Sequence, residues 1–309
     1  MKVKTLVVMM LGALSTSVSA ANTTPAEVLD LSCWKVTLPV SLDNGDRPTE
    51  FSEKEIAKGA MHADYFYVNE AKDGVVFRSP VQGIKTSKNT KYVRSELREM
   101  MRCGNTSHKT KGVNGNNWVF GHNVSADSLK DAAGVDGNLK ATLSVDHVTS
   151  TGEIWQQGRV IIGQIHAPDD EPVKIYYRKL PNHETGSVWI SHEPNGGDDI
   201  IFPMIGPTKP NYWKQKDKDI PKSYDDGIAL GEKFSYEIDI NGADMTVTIS
   251  REGKADVVQK VDMQNSGYGL EDQWMYFKAG VYNQNRTGDP EDYVQATFYS
   301  LDVSHDAAK

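Results

Sequence analysis

The 309-residue chain has only two cysteines, no excess of positive charge and no apolar run long enough to cross a bilayer, and each shortage closes off a class of protein. Neither Cys33 nor Cys103 sits in a His-paired context that would mark a nucleophilic thiol. In an oxidising compartment the two can pair, which in the chain-entropy picture stabilises a fold by roughly 2–4 kcal/mol; two buried free thiols are the alternative. The one pronounced apolar run, Leu6 to Leu14, follows Lys2 and Lys4 and leads into Val18-Ser19-Ala20. That is the pattern of a secretory leader cleaved after Ala20, far short of the ~20 residues a spanning helix needs, and no later segment qualifies. The residue immediately after the cleavage point is Ala21, not cysteine, against a lipid anchor. Lys and Arg number 34 against 42 Asp and Glu, a formal charge of −8 that becomes −10 when Lys2 and Lys4 leave with the leader. A nucleic-acid binder normally shows the opposite balance.

Motifs for the commoner chemistries are missing too. There is no G-x-S-x-G, P-loop or dinucleotide fingerprint. His62, His108, His122, His147, His183, His192 and His305 show no H-E-x-x-H-like spacing, and Asp43-Asn44-Gly45-Asp46 is too short and irregular for an EF-hand loop. No metal and no cofactor are expected. No linker, repeat or low-complexity tract divides the sequence, so a leader over 1–20 and a single domain over 21–309 is the expected organisation.

What the sequence does contain is strand pattern. Leu139–Val145, Arg159–His166, Val173–Arg178, Val188–Ser191 and Phe234–Ile240 read as strands, and Asn241-Gly242 ahead of Met245–Ile249 predicts a hairpin. Helical periodicity is confined to Ser52–His62, with Ser52 as N-cap, and more weakly to Ala126–Ala133. Long irregular loops are expected over Pro194–Pro221 and Asn285–Asp292. Many short strands with Gly- and Asn-rich turns predict an all-β sandwich.

Three segments far apart carry polar side chains on every second residue: Arg94-Ser95-Glu96-Leu97-Arg98, Gly163-Gln164-Ile165-His166 and Tyr276-Phe277-Lys278-Ala279-Gly280-Val281-Tyr282-Asn283-Gln284. Because strand side chains alternate between faces, Arg94, Glu96 and Arg98 share a face, Gln164 joins His166, and Lys278 and Tyr282 join Gln284. Leu97, Ile165, Ala279 and Val281 take the opposite, core-facing side. The polar face is too rich in Arg, His, Tyr and Gln for mere solvated surface.

Read as RSELR, QIH and YFKAGVYNQ, these segments resemble the signature blocks of the alginate lyases of polysaccharide lyase family 7. The likeness extends to Asp30–Pro39 and to a closing strand around Ala296–Val303, so it spans nearly all of the mature chain. It implies a β-jelly roll sandwich whose concave sheet forms an open groove, and a monomeric bacterial enzyme, periplasmic or released to the medium, acting on alginate. It implies that Arg94, Gln164, His166 and Tyr282 are catalytic, and that Glu96, Arg98, Lys278 and Gln284 bind flanking sugars or hold the catalytic residues; for Glu96 and Arg98 a structural salt-bridge ladder is an equal alternative. Members with Ile within the Q-x-H block tend to accept guluronate, so Ile165 implies guluronate-rich or mixed alginate, cleaved endolytically.

The residue types suit that chemistry. In β-elimination a proton leaves C5 and the glycosidic oxygen leaves C4, so charge builds on an already anionic carboxylate. The guanidinium fork of Arg94 and the amide of Gln164 are donors for that charge. His166 titrates near working pH and can take a proton; Tyr282 has a hydroxyl to give one. The cationic Arg94, Arg98 and Lys278 focus positive potential in an otherwise acidic protein. Three rivals remain: a non-catalytic carbohydrate-binding jelly roll, which has no need of both His166 and Tyr282; a glycoside hydrolase, which needs two carboxylates where the blocks offer only Glu96; and a lyase for another polyuronate such as polyglucuronate.

Overall fold

The computed structural model describes residues 23–206 and 224–308. The expected leader over 1–20 and the later part of the loop expected over Pro194–Pro221 lie outside the described residues. Three short helices, α1 (Pro25–Val28), α2 (Glu53–Ile56) and α3 (Ala126–Asp131), interrupt the strands among the described residues. The strands in chain order are β1 (Trp34–Thr37), β2 (Glu50–Phe51), β3 (Phe66–Val68), β4 (Val75–Pro80), β5 (Arg94–Glu99), β6 (Trp118–Val119), β7 (Gly134–His147) and β8 (Arg159–His166), then β9 (Val173–Arg178), β10 (Ser187–His192), β11 (Ile200–Ile205), β12 (Phe234–Asn241), β13 (Asp244–Ser250), β14 (Val257–Asp262), β15 (Tyr276–Asn283) and β16 (Tyr293–Asp306).

They form two sheets. The first runs β11-β10-β9-β8-β15-β5-β1-β2 and the second β14-β13-β12-β7-β16-β4-β3, with the short β6 added parallel to β7 and every other pairing antiparallel. Runs of consecutive strands at the sheet edges are joined at the centre by strands distant in sequence, β8-β15-β5-β1 in the first sheet and β12-β7-β16-β4 in the second, as in a β-jelly roll. The sheets pack through one apolar layer: Leu97, Ile165, Ala279 and Val281 from the first meet Phe77, Leu143, Tyr236 and Phe298 from the second, all in one cluster. Burying each large aliphatic here is worth ~1.5–3 kcal/mol, which fixes register, since a slip of one residue would turn the core set outward.

Two glycines of the sequence blocks are required by close approach. Gly280, at φ +130°, lies opposite Glu96 on β5, and a Cβ there would fall 2.7 Å from the Ser95 carbonyl and 2.9 Å from the Glu96 Cα. Gly163 passes over the Tyr236 ring, where a Cβ would sit 2.6 Å from Cζ. A disulfide joins Cys33, just before β1, to Cys103, just after β5.

Departures from the sequence reading have local causes. The helix expected over Ser52–His62 is one turn, Glu53–Ile56, with Ser52 and Glu55 in a capping box. The hairpin falls one residue later than expected: Asn241 pairs with Asp244, leaving Gly242-Ala243 as the loop with φ +60° at Gly242, the first central position where a II′ turn wants glycine. Within the stretch read as irregular from Pro194, Ile200–Ile205 forms β11, because its backbone completes the edge of the first sheet on β10. The closing strand, expected over Ala296–Val303, extends to Tyr293–Asp306.

Candidate functional site

In the first sheet β8, β15 and β5 lie side by side, so the three blocks meet. Arg94 stands opposite Tyr282, Arg98 opposite Lys278, Lys278 opposite Gln164, and Tyr276 opposite His166. The shared polar face is now one surface, and most of it is buried.

At its centre is Glu96, 2% exposed. One carboxylate oxygen accepts from Arg94 Nη1 at 3.0 Å and from Lys278 Nζ, and the other accepts the Gln164 amide at 2.5 Å. A carboxylate buried this deeply tolerates ionisation only when paired. Burial alone would raise its pKa, but Lys278 and Arg94 more than offset that and hold it below the usual carboxylate range. Lys278 is pushed down to about 8, by burial first and by the nearby Arg94, against the pull of Glu96. With Glu96 ionised, two cations share one anion, and a single net positive charge remains for a ligand. Arg94 still has a buried Nε with no partner among the described residues.

His166 directs Nδ1 to the Ala167 carbonyl at 2.5 Å and Nε2 toward Glu171 Oε1 at 3.5 Å, with its ring stacked on Tyr276 at 5.1 Å. Burial lowers its pKa to about 4, helped by Lys278 and Arg94 and opposed by Glu171. The ring is therefore neutral at working pH. Donation from Nδ1 to a carbonyl leaves Nε2 as the basic nitrogen. Tyr282 lies beneath the Arg94 guanidinium, 3.8 Å from its carbon, with Tyr92 edge-on at 6.2 Å. Burial raises the phenol pKa and Arg94 works against the rise, so Tyr282 holds its proton beside a cation that eases its loss.

Two of the expected binding residues, Arg98 and Gln284, line the groove but are largely buried. The Arg98 guanidinium is 8% exposed and donates to the carbonyls of Glu99 and Thr110 and to Asn117 Oδ1, while lying 4.0 Å over the Tyr276 ring. Its donors serve the fold, leaving its charge to act at a distance. Gln284 lies one residue beyond β15, 4% exposed, with its amide 3.5 Å from the Asn283 carbonyl.

Strict alternation also fails once. The β8 ladder slips against β9 between Ile161 and Gly163 and against β15 between Ala279 and Tyr282. Ile162 and Gly163 therefore both turn to the core, and Ile161 shares the face of Tyr282, Tyr176 and Trp189. Such bulges re-aim side chains beside functional sites.

A groove runs across this face. One half, about 310 Å³, is lined by Lys35, Thr37, Thr86, Lys111, Trp274 and Tyr276 among others; the other, about 590 Å³, by Tyr92, Trp155, Arg159, Glu171, Lys174, Tyr176 and Tyr282 among others. Thr90, Arg94 and His166 line both, forming its waist. In the second half Lys174 is held by Glu171, Glu193 and Asp199 at 3.2, 2.6 and 3.1 Å. Among the described residues no cluster of three or more His, Cys, Asp or Glu is arranged to hold a metal ion.

The sequence reading missed Tyr276, Glu171 and Arg159. Tyr276 had a signal, being two residues before Lys278 in the same block. Glu171 had none, because only the turn after β8 brings it back to His166.

The alginate lyase family model matches residues 29–305. An alginate lyase of Klebsiella pneumoniae is 52% identical over 292 residues, 94% of each chain. A crystal structure of the alginate lyase from that organism matches with a TM-score of 0.87 at 52% identity, covering 93% of this chain and 100% of that one. An alginate lyase of Pseudomonas aeruginosa matches with a TM-score of 0.61 at 27% identity, covering 89% and 99%. An exolytic alginate lyase of Zobellia galactanivorans, at 24% identity and a TM-score of 0.66 over 93% and 99% of the two chains, shares the fold.

Proposed function

The chain belongs to the alginate lyases of polysaccharide lyase family 7, and from that premise we propose how its groove residues divide the work of opening the 1,4-glycosidic bond of alginate by β-elimination. The carboxylate of the sugar that loses its C5 proton sits against Arg94 and the second amide N–H of Gln164, whose first is held by Glu96. As negative charge grows on that carboxylate, each preorganised donor contributes ~10²–10³ in rate. His166 Nε2 takes the C5 proton where it lies across the ring from the leaving oxygen, and Glu171 stabilises the imidazolium that results. The C5–H electron pair becomes the C4–C5 double bond, the C4–O bond breaks, and the Tyr282 hydroxyl protonates the departing oxygen. For the epimer whose C5 proton lies on the leaving-group side, Tyr282 serves as both base and acid. Glu96 and Lys278 hold this apparatus in place.

The observation that carries this reading is that Arg94 and His166 stand at the waist of a groove that continues on both sides, with Tyr282 lining one half beneath Arg94 and Gln164 buried behind them on Glu96. A groove extending both ways accommodates the middle of a chain, which supports endolytic attack. Ile165 lies behind Gln164 and His166, fully buried, and acts by setting the position of β8; it supports guluronate-rich or mixed blocks as substrate. The leader pattern and the Cys33–Cys103 disulfide support export.

Purified guluronate, mannuronate and mixed blocks, with polyglucuronate alongside, test this through the ultraviolet absorbance of the unsaturated product and the sizes of early products. Guluronate-rich or mixed blocks should react fastest and give a broad range of fragments, with turnover unaffected by chelator. A strong preference for pure polymannuronate overturns the block assignment, unsaturated monomer as the only early product overturns the endolytic mode, and faster attack on polyglucuronate moves the substrate to another polyuronate.

A further inference from the structure

The half of the groove beyond Tyr282 has an apolar floor and an acidic rim, an odd lining for a polyanion. Tyr176 stacks flat on Trp189 at 4.9 Å with 5° between planes, and Ile161 and Tyr282 continue the strip. Such a surface suits the carbon face of a sugar ring. Lys174, the central cation of this half, is already matched by three carboxylates.

Arg159 is different. It opens β8, lines this half of the groove, and has no carboxylate within 4.0 Å among the described residues, whereas Arg94, the other arginine lining this half, is paired with Glu96. Among the described residues its side chain donates only from Nη1, to the Trp155 carbonyl at 3.2 Å, and its buried Nε has no partner. The guanidinium carbon lies 5.8 Å from the Trp155 ring centre and 5.7 Å from that of Tyr176. Trp155 is 38% exposed, an uncommon cost for a tryptophan unless something covers it. A buried, unpartnered guanidinium edge beside an open aromatic surface matches one ligand chemistry well: a carboxylate carried on a pyranose ring.

We propose that Arg159, with Trp155 and Tyr176, forms an outlying uronate-binding position, distinct from the Arg94 cluster, that grips a sugar distant from the bond being cleaved. The inference rests on the polyuronate lyase reading. Arg159 is a binding residue here with no part in proton transfer. The acidic rim sharpens its role, because a chain entering this half meets repulsion unless a carboxylate is delivered to Arg159. The position therefore sets the register in which the polymer crosses the waist.

The test compares Arg159→Ala, Arg159→Lys and wild type on alginate and on purified alginate oligosaccharides of increasing length. For Arg159→Ala, KM on the polymer should rise about tenfold or more, the scale of losing a charge-assisted contact, with kcat changed far less. The loss should shrink as the substrate shortens, and early product sizes should shift as the register loosens. Arg159→Lys keeps a point charge without the planar fork and should recover part of the affinity; it also provides the comparison if Arg159→Ala fails to fold. An equal loss on the longest and shortest substrates, or an unchanged dependence on chain length in whichever variant folds, overturns the inference. Failure of wild type to release unsaturated product from alginate overturns the underlying reading instead.

Discussion

The groove face of the first sheet and the outer face of the second are both the polar sides of strands in the same sandwich, yet they are built on opposite terms. Along β12 and β13 buried and half-exposed residues alternate cleanly, and the polar side chains there, such as Ser235, Glu237 and Thr248, keep contact with water. Along β5, β8 and β15 nearly every residue is buried on both faces, Glu96, Gln164 and Lys278 included. A solvated face lets each side chain stand alone. A buried polar face does not, because every donor and charge left unmatched costs free energy. The difference teaches where interdependence lies: substitutions on the outer face should act singly, and those in the groove should propagate.

The largest effect is expected at the proton donor. Tyr282→Phe should cut turnover by ~10²–10⁴ on guluronate and mannuronate blocks alike, while substrate binding survives through Arg94. His166→Ala should instead separate the two epimers, with guluronate cleavage suffering most. Equal losses on both blocks would remove His166 from the role of dedicated base, and near-normal rates in Tyr282→Phe would remove the general acid.

Glu96→Gln tests whether the groove network is interdependent. It leaves Arg94 and Lys278 without their shared anion, and breaking a buried pair from one side is worth ~3–5 kcal/mol. A markedly lower denaturant midpoint is expected, together with lost activity. Unchanged stability would mean that the face tolerates a missing charge as well as the outer sheet does.

Acidification offers a gentler probe. The folded pKa of His166 is depressed to about 4 from an ordinary value of about 6.5, so its contribution to stability is fully present above the unfolded value and is lost as pH falls toward the folded one. His305 runs the other way. It bonds Glu99 at 2.6 Å and its pKa is raised, so its contribution is present at low pH and lost as pH rises through the folded value. Thermal melts across this range should show His166→Gln flattening the acid side and His305→Gln the neutral-to-alkaline side. A wild-type acid limb retained in His166→Gln would contradict the assignment. Smallest of all, Thr248→Val on the outer face should shift stability by no more than ~0.5 kcal/mol; a larger shift would erase the contrast between the faces.

How much of this could be read from the sequence follows the same divide. Arg159–His166 and Val173–Arg178 are strands with the bounds their patterns predict, because alternating or continuous apolar runs are local signals. The grouping of Arg94, Glu96, Gln164, His166, Lys278 and Tyr282 was legible because period two places each set on one face before the sheet is known. The slip at Ile162 was not, since a bulge is settled by the registers of two neighbouring strands. Neither was Glu171, which reaches His166 through a turn, nor the isolation of Arg159, which is a statement about every carboxylate around it. The hub role of Glu96 was half visible: its face was predictable, its three partners were not.

Gly280 also carries information for the reading of other chains. Arginine, glutamine, histidine and tyrosine at the four working positions are a natural first screen for this chemistry, but all four can persist in a chain whose central strands no longer close. Gly280 is the spacer on which that closure depends, with 2.7 Å to the Ser95 carbonyl and 2.9 Å to the Glu96 Cα for any added methyl. A homologous sequence with the four intact and alanine in this place should therefore be sorted with binders or decayed copies until its turnover has been measured.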